Sequence, residues 1–368
     1  MTSRLRALLA ELMRIPGPSG RERRVRRHIR KELESFGLAA HTDAAGNLIA
    51  TIEGTDPQAP SLMLHAHMDQ LGLVARKIEP DGYVRFERLG GIPDRALPAT
   101  PVLFCVGEGR DVGGVIANKS HHATPQEEKF KVVPHGELFI DIGTETAAET
   151  RALGIDIGTP IVYAPNVLPL GEHRIAGTSV DDRAGCAVLI EAVRALAAAR
   201  PSATLHCVFS VLEEFNLRGA MIAAQALKPD IAIQVDLLLA ADTPDTRHLG
   251  EAALGQGPGI SLYNFHGRGT LNGTIPHPSL VALFAGAARA GGVALQRAAN
   301  VGVLTDNSYV QLAGAGIACV DVGFPMRYSH SALEVCDLRD LDELVKLIVE
   351  AVHRIGPGFT LDRDATEP

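Results

Sequence analysis

Leu62-Met63-Leu64-His65-Ala66-His67-Met68-Asp69 is an apolar run, short enough for a buried strand, that turns abruptly into imidazole and carboxylate. Side chains alternate faces along a strand, so His65, His67 and Asp69 project to one side. A histidine with an acid two residues on can hold a metal through one ring nitrogen while the other donates to the carboxylate. Two histidines satisfied by hydrogen bonds at a strand end would give the same pattern, and this stretch alone does not separate the two readings.

Toward the N-terminus, Leu5, Leu8, Leu9, Leu12 and Met13 keep helical spacing and predict an amphipathic opening helix. Pro16-Gly17-Pro18-Ser19-Gly20 stops it. Ser19 with Glu22 three residues later predicts a capping box for a second helix, buried through Val25, Ile29, Leu33 and Phe36. That helix has a basic face (Arg21, Arg23, Arg24, Arg26, Arg27, Arg30 and Lys31). In an acidic chain it reads as a solvated surface in preference to a site for an anionic partner or a subunit contact. Asp43-Ala44-Ala45-Gly46-Asn47 is the turn of a hairpin running into Leu48 to Ile52.

Beyond Asp69 the texture changes. From about Leu73 to Pro169, short β-rich runs are split by glycines. Val84 to Phe86, Val102 to Val106, Val112 to Ile116 and Leu138 to Ile142 predict a small barrel or sandwich, with one helix from Ala147 to Leu153. His121, His122 and His135 have no acid at a supporting spacing and read as loop histidines.

From Ile175 an α/β rhythm returns. Asp181-Asp182-Arg183 leads into an apolar, buried helix from Ala184 to Ala199. Thr204 to Leu212 reads as a strand ending in Glu213-Glu214, and Leu217 to Leu227 as a helix. Ile231 to Val235 is a strand ending in Asp236, followed by a looser glycine-rich region. A helix from Pro278 to Ala290 and a strand from Ile317 to Val322 lead to Tyr328-Ser329-His330. Asp337 caps a last amphipathic helix, and the tail from Pro357 is expected to be disordered. The expected division is an α/β domain in two parts (1–70 and 171–356), a β insert (71–170) and a flexible tail (357–368).

Composition bounds the function. A chain of 368 residues that is 46% apolar and 21% charged suits a soluble globular protein. A net charge of −8 argues against nucleic-acid binding. No apolar run approaches a membrane span, and the N-terminus lacks the core of a signal peptide. Five scattered cysteines without Cys-x-x-Cys spacing read as reduced thiols of a cytoplasmic protein. The absence of tryptophan weakens any sugar- or base-stacking role.

Four apolar strands thus end in acid or histidine: His67 with Asp69, Glu213-Glu214, Asp236 and, after a short loop, His330. Asp181-Asp182 adds a fifth cluster at a helix start. Singly, Glu213-Glu214 would be a solvated turn and Asp181-Asp182 a helix cap. Together they should converge, because ligands of open α/β sheets bind beyond the carboxyl ends of the strands. Histidines and carboxylates without thiolate suit a hard-to-borderline divalent metal. Several buried acids are balanced better by two ions than by one. One Asp must then bridge the pair, each ion needs its own His and acid, and one further carboxylate must stay free as a base.

Ala66-His67-Met68-Asp69, Asp181-Asp182-Arg183-Ala184-Gly185, Glu213-Glu214 with Leu217-Arg218-Gly219-Ala220, Val235-Asp236 and Arg327-Tyr328-Ser329-His330-Ser331 resemble the glutamyl and tetrahedral aminopeptidases, metallopeptidase family 42. The resemblance implies an α/β fold, a zinc-peptidase-like mixed sheet flanked by helices. A small PDZ-like β-barrel domain, used for dimerisation, is inserted into it. It implies His67, Asp181, Glu214, Asp236 and His330 as ligands of two divalent ions, with Asp181 bridging. Zinc is the expected metal and cobalt or manganese the alternatives. Glu213 would be the general base, Asp69 the carboxylate behind His67, and Asp182 structural, while His65 has no ligand role. Peptide substrates, and dimers that assemble into a hollow dodecamer, complete the expectation. Gln70, Phe215-Asn216 and Leu237-Leu238-Leu239 depart from the family pattern and bear on substrate preference. Alternative readings are a deacylase or carboxypeptidase with the same centre, or a silent peptide-binding protein on this scaffold.

Overall fold

The computed structural model describes residues 2–267 and 272–364. Helices α1 (Thr2–Met13) and α2 (Arg23–Glu34) open the chain, followed by strands β1 (Ala40–Thr42), β2 (Leu48–Ile52) and β3 (Leu62–His67). Leu5, Leu9 and Leu12 of α1 and Val25, Ile29 and Leu33 of α2 are fully buried, as their helical spacing requires. The β1–β2 turn is held by Asp43, whose Oδ1 accepts from the backbone N–H groups of Ala45, Gly46 and Asn47 at 2.8–3.0 Å.

Two expectations for α2 are corrected. Ser19 and Glu22 form no capping box: Glu22 occupies the cap position without a side-chain hydrogen bond to the helix. Instead, the Ser19 hydroxyl donates to Asp69 Oδ2 at 2.7 Å, and Glu22 Oε1 accepts from the Gly20 N–H at 2.6 Å. The helix is capped at Glu22 and not at Ser19, whose hydroxyl goes into a charge-assisted bond to a buried carboxylate. Nor is the basic face simply solvated. Arg24 binds Asp111, one contact at 2.9 Å, and Arg27 pairs with Glu108. Both acids belong to the inserted β region.

That region contains β4 (Gly72–Ile78), β5 (Val84–Leu89), β6 (Pro101–Phe104), β7 (Val112–Ile116), β8 (Ile140–Asp141), helix α3 (Ala147–Ala152) and β9 (Pro160–Tyr163). The strands close a barrel in the order β4-β5-β8-β7-β6-β9 around a core that includes Val84, Phe86, Phe104, Ile116, Ile140 and Ile161. β4 and β9 are the strands the glycine-split runs did not reveal. The barrel ends with β9, because β10 (Val167–Leu170) pairs in the main sheet with β11 (Arg174–Gly177).

The rest of the chain runs through α4 (Val180–Ala198), β12 (Leu205–Ser210), α5 (Gly219–Leu227), β13 (Ile231–Leu239), β14 (Gly259–Phe265), β15 (Gly273–Thr274) and α6 (Pro278–Gly291). It closes with β16 (Gln296–Val301), α7 (Asn307–Val310), β17 (Ala318–Arg327), β18 (Glu334–Asp337) and α8 (Leu338–His353). Among the described residues twelve strands form the main sheet, ordered β1-β2-β12-β3-β13-β17-β18-β11-β10, with β14 to β16 branching from β17. Its middle strands β12, β3, β13 and β17 are parallel. α1, α4, α6 and α8 pack on one side, and α5 and α7 on the other. Leu62, Leu64 and Ala66 of β3 face the larger core, while Met63 faces the smaller one beneath α5. By the same alternation His65 and His67 lie on the α5 side, as do Gln234 and Asp236 of β13.

Three further differences from the sequence reading have physical causes. β13 does not stop at Asp236 but runs on through Leu237-Leu238-Leu239, paired with β17 to Met326. β14 and β15 occupy the region read as loose and glycine-rich, since glycines there mark close backbone approach: a Cβ on Gly273 would stand 2.2 Å from the Asn264 carbonyl oxygen. The tail is ordered at its start, where Phe359 and Leu361 pack against the main core. Its end, 365–368, lies outside the described residues. No helix among the described residues is long and apolar enough to cross a membrane.

Candidate metal centre

At the carboxyl ends of the parallel strands lies a cleft of about 420 Å³, lined in part by His67, Asp181, Glu213, Glu214, Asp236 and His330. A larger hollow of about 890 Å³, between α2 and the barrel, contains none of these residues. β3 delivers His67 as its last residue, paired with Ser210 at the end of β12. The chain then turns through Leu212 at φ 59° and presents Glu213 and Glu214. Asp236 projects from within β13, opposite Gly323. Asp181 stands at the head of α4, where the backbone is not yet helical. His330 comes from the loop after β17, at φ 64°.

Asp181 divides its carboxylate between the two imidazoles. Its Oδ1 is 3.1 Å from His67 Nε2 and its Oδ2 is 3.6 Å from His330 Nε2. Glu213 Oε2 lies 3.9 Å from His67 Nε2, and Glu214 Oε2 lies 3.8 Å from His330 Nε2. The far nitrogen of each ring meets a backbone carbonyl: His67 Nδ1 is 3.2 Å from the Asp69 oxygen and His330 Nδ1 is 3.1 Å from that of Gly91. A ring bonded in this way offers its Nε2 lone pair to a cation placed beside Asp181.

Two sets of donor atoms each fall within 4.8 Å: His67 with Asp182 and Asp236, and Asp181 with Glu214 and His330. Asp182 is the weaker candidate despite its place in the first set. Its Oδ2 accepts from the His67 N–H at 3.2 Å and its Oδ1 from the Gly185 N–H at 3.0 Å, so both oxygens are committed to the backbone. Asp69 likewise works from behind. Its carboxylate lies 3.6 Å from His67 Nδ1 but accepts from the N–H groups of Glu213 and Glu214, at 3.0 and 3.1 Å, and from Ser19. Burial opposes its charge, yet His67, Ser19 and the Glu213 amide keep its pKa below the usual carboxylate value.

The electrostatics fit cations. Burial, reinforced by neighbouring carboxylates, pushes the acids of Glu213 and Glu214 well up and that of Asp236 to about 7. No lysine or arginine lines the cleft among the described residues, and Glu214 Oε1 is buried without a protein partner. Carboxylates so placed need positive charge, and oxygen with imidazole donors suits divalent ions.

A family model described as M42 glutamyl aminopeptidase matches residues 46–347. The chain belongs to this family. A putative aminopeptidase of Escherichia coli K12, SgcX, is 36% identical over 324 residues, covering 88% of this chain and 86% of that protein. Aminopeptidase APDkam598 from the archaeon Desulfurococcus kamchatkensis superposes with a TM-score of 0.89 at 30% identity, covering 97% of each chain. The Pyrococcus horikoshii TET1 peptidase, described as assembling into a tetrahedron or a large octahedral shell, gives 0.85 at 29% identity, with 95% of this chain and 99% of that one covered.

Within this M42 chain, several residues that shape the cleft escaped the sequence reading. Glu334 Oε2 accepts from the Asp181 N–H at 3.0 Å and its Oε1 from the His330 N–H at 2.9 Å, so one side chain ties the head of α4 to the His330 loop. Gln234 donates to Asp236 Oδ2 at 2.9 Å and accepts from the Asn307 N–H at 2.8 Å. Asp306, its acid pushed up to about 7 by burial, accepts from the Ser210 hydroxyl at 3.0 Å. The only signal in the sequence was an acid set in an apolar run, as in Leu333-Glu334-Val335. His65 faces Asn307 Oδ1 at 3.2 Å, and burial drives its pKa down to about 4, which keeps the ring neutral. His135 does have acids, Asp94 at 3.1 Å and Glu87 at 3.2 Å, but the fold brings them from 41 and 48 residues away. Gln70 accepts from the Gly17 N–H at 3.0 Å and from buried Arg183 at 3.2 Å.

Proposed function

We propose that the chain is a dinuclear-metal aminopeptidase that hydrolyses the N-terminal peptide bond of peptides. The observation that carries this reading is the split carboxylate of Asp181, one oxygen toward each imidazole. His67, Asp181 and Asp236 would hold one divalent ion, and Asp181, Glu214 and His330 the other. Zinc suits this donor set, with cobalt or manganese as alternatives. Bound there, the ions would supply Lewis acidity toward the scissile carbonyl and toward water.

Glu213 is the carboxylate left over. Burial raises its pKa, which makes it a stronger base than a solvated glutamate. Its carboxylate takes the proton of the attacking water and passes it to the departing amine nitrogen. Asp69 fixes the position of this base by accepting from its backbone N–H. The acid-rich cleft attracts the free ammonium of a peptide N-terminus, while Leu237, Leu239, Val303 and Leu304 offer apolar wall to the first side chain. A homo-oligomer belongs to the same proposal, supported by the assemblies described for the TET1 peptidase. So does a cytoplasmic location, which suits five unpaired cysteines.

Aminoacyl anilides compared with their N-blocked counterparts, alongside metal analysis, test the reading. The expected result is release from free N-termini alone, about two ions per chain, and loss of activity on chelation. Equal turnover of blocked substrates, or full activity after metal removal, would refute it.

A further inference from the structure

We infer that the inserted barrel completes the metal centre: its Gly90–Gly91 corner, after β5, positions the ring of His330 and so sets the affinity of the ion shared by Glu214 and His330. The inference rests on the two-ion reading above. Its first support is the hydrogen bond from His330 Nδ1 to the Gly91 carbonyl, 3.1 Å long and spanning 239 residues of sequence. With its hydrogen held there, the ring can offer only Nε2 to a cation, and it cannot turn over.

The corner has room for nothing larger than glycine. A Cβ on Gly91 would stand 2.9 Å from His330 Nδ1 and 3.2 Å from Cε1. Gly91 is not left-handed, so its backbone would accept alanine and only the ring of His330 objects. Gly90 has φ 100°, and its Cβ would meet Leu71 at 2.4 Å and the Glu214 carbonyl at 3.4 Å. The same two residues therefore lie against both ligands of one half of the centre.

The corner is rigid because the barrel anchors it. Ile92 is 1% exposed within the barrel core, and its N–H donates to the Gly90 carbonyl at 3.0 Å. Arg88 Nη1 donates to the Ile92 carbonyl at 2.7 Å and lies 3.3 Å from Asp94. His330 itself sits on a loop with Tyr328 and His330 both at positive φ. Nothing in its own element would fix the ring.

The test titrates the metal-free wild type, Gly91→Ala and Arg88→Ala with Co²⁺, followed by calorimetry and visible absorption. The wild type should take up two ions. In Gly91→Ala one ion should keep its affinity and the other weaken about 10–100-fold. The melting temperature of the metal-free protein should stay unchanged, and excess metal should restore kcat. Arg88→Ala, remote from the ligands, should weaken the same ion by a smaller factor. Wild-type affinity for both ions in Gly91→Ala would overturn the inference. Equal weakening of both, with a lowered metal-free melting temperature, would overturn it too by making the corner a merely structural element. A wild type that binds fewer than two ions would instead overturn the metal reading itself.

Discussion

The two halves of the candidate centre are built differently. His67 and Asp236 come from paired strands in the middle of the sheet and are 1% and 6% exposed. Glu214 and His330 come from loops, and the His330 side chain is 36% exposed. The first half inherits the rigidity of the most cooperative part of the fold. The second must be held by outside contacts: the Asp69 carboxylate under Glu214, Glu334 under the His330 backbone, and the barrel's Gly91 on its ring. Loop-borne sites open at lower cost than strand-borne ones. The lesson is that one ion position should be permanent and the other exchangeable.

The severest break is Asp181→Ala, which removes the shared carboxylate. Neither ion should then bind, and activity should fall below detection, as metal analysis and turnover would show. Two ions retained in this variant would remove Asp181 from the bridge. Next comes Glu213→Gln, expected to keep both ions while kcat drops about 10²–10⁴-fold. A metal-replete variant with near wild-type kcat would strip Glu213 of its role as base.

His330→Ala sharpens the comparison, since it should lose one ion and leave the His67 position filled. Dialysis against a chelator should likewise empty the wild type in two phases, faster for the His330 side. A single phase would mean the halves are equivalent.

Acidity acts in opposite directions on the two forms of the protein. In the metal-free state the acid of Asp236 lies near 7, above its ordinary 3.8, and Glu213 and Glu214 are raised too. Between these values the folded chain holds protons that the unfolded chain has lost. The stabilisation is therefore present at low pH and is lost as pH rises through about 7. Metal binding needs the same carboxylates deprotonated, so affinity should fall as pH drops below that value. Melting curves at pH 5 and 8 should thus rank in opposite orders with and without metal. The same order in both would contradict the assignment of these acids as ligands. The smallest effect on catalysis is expected for Ser19→Ala, which removes one hydrogen bond to a buried charge. Stability to urea should fall by about 1.5–3 kcal/mol while metal content is kept.

How much of this was legible depended on sequence distance. The run from Leu62 to His67 declared its strand because burial on both faces leaves a continuous apolar stretch, and the polar residues at its end stood out against it. Glu213-Glu214 and Asp181-Asp182 were visible for the same reason. What supports them was not. Ser19 reaches Asp69 across 50 residues, Glu334 reaches Asp181 across 153, and His330 reaches Gly91 across 239. No local pattern encodes such contacts, and in the case of Ser19 a good local pattern pointed elsewhere. Asp236 misled about strand length because an acid inside a buried strand looks like its end. β14 and β15 stayed hidden because their glycines, Gly259 and Gly273, serve close strand contacts yet read as loop.

The central claim is that two cations sit on either side of the Asp181 carboxylate. Anomalous diffraction at the metal edge from crystals of the zinc-loaded protein tests it most directly. The expected map shows two peaks about 3.5–4 Å apart, one beside His67 and Asp236 and the other beside Glu214 and His330. A single peak, or peaks away from Asp181, would contradict it.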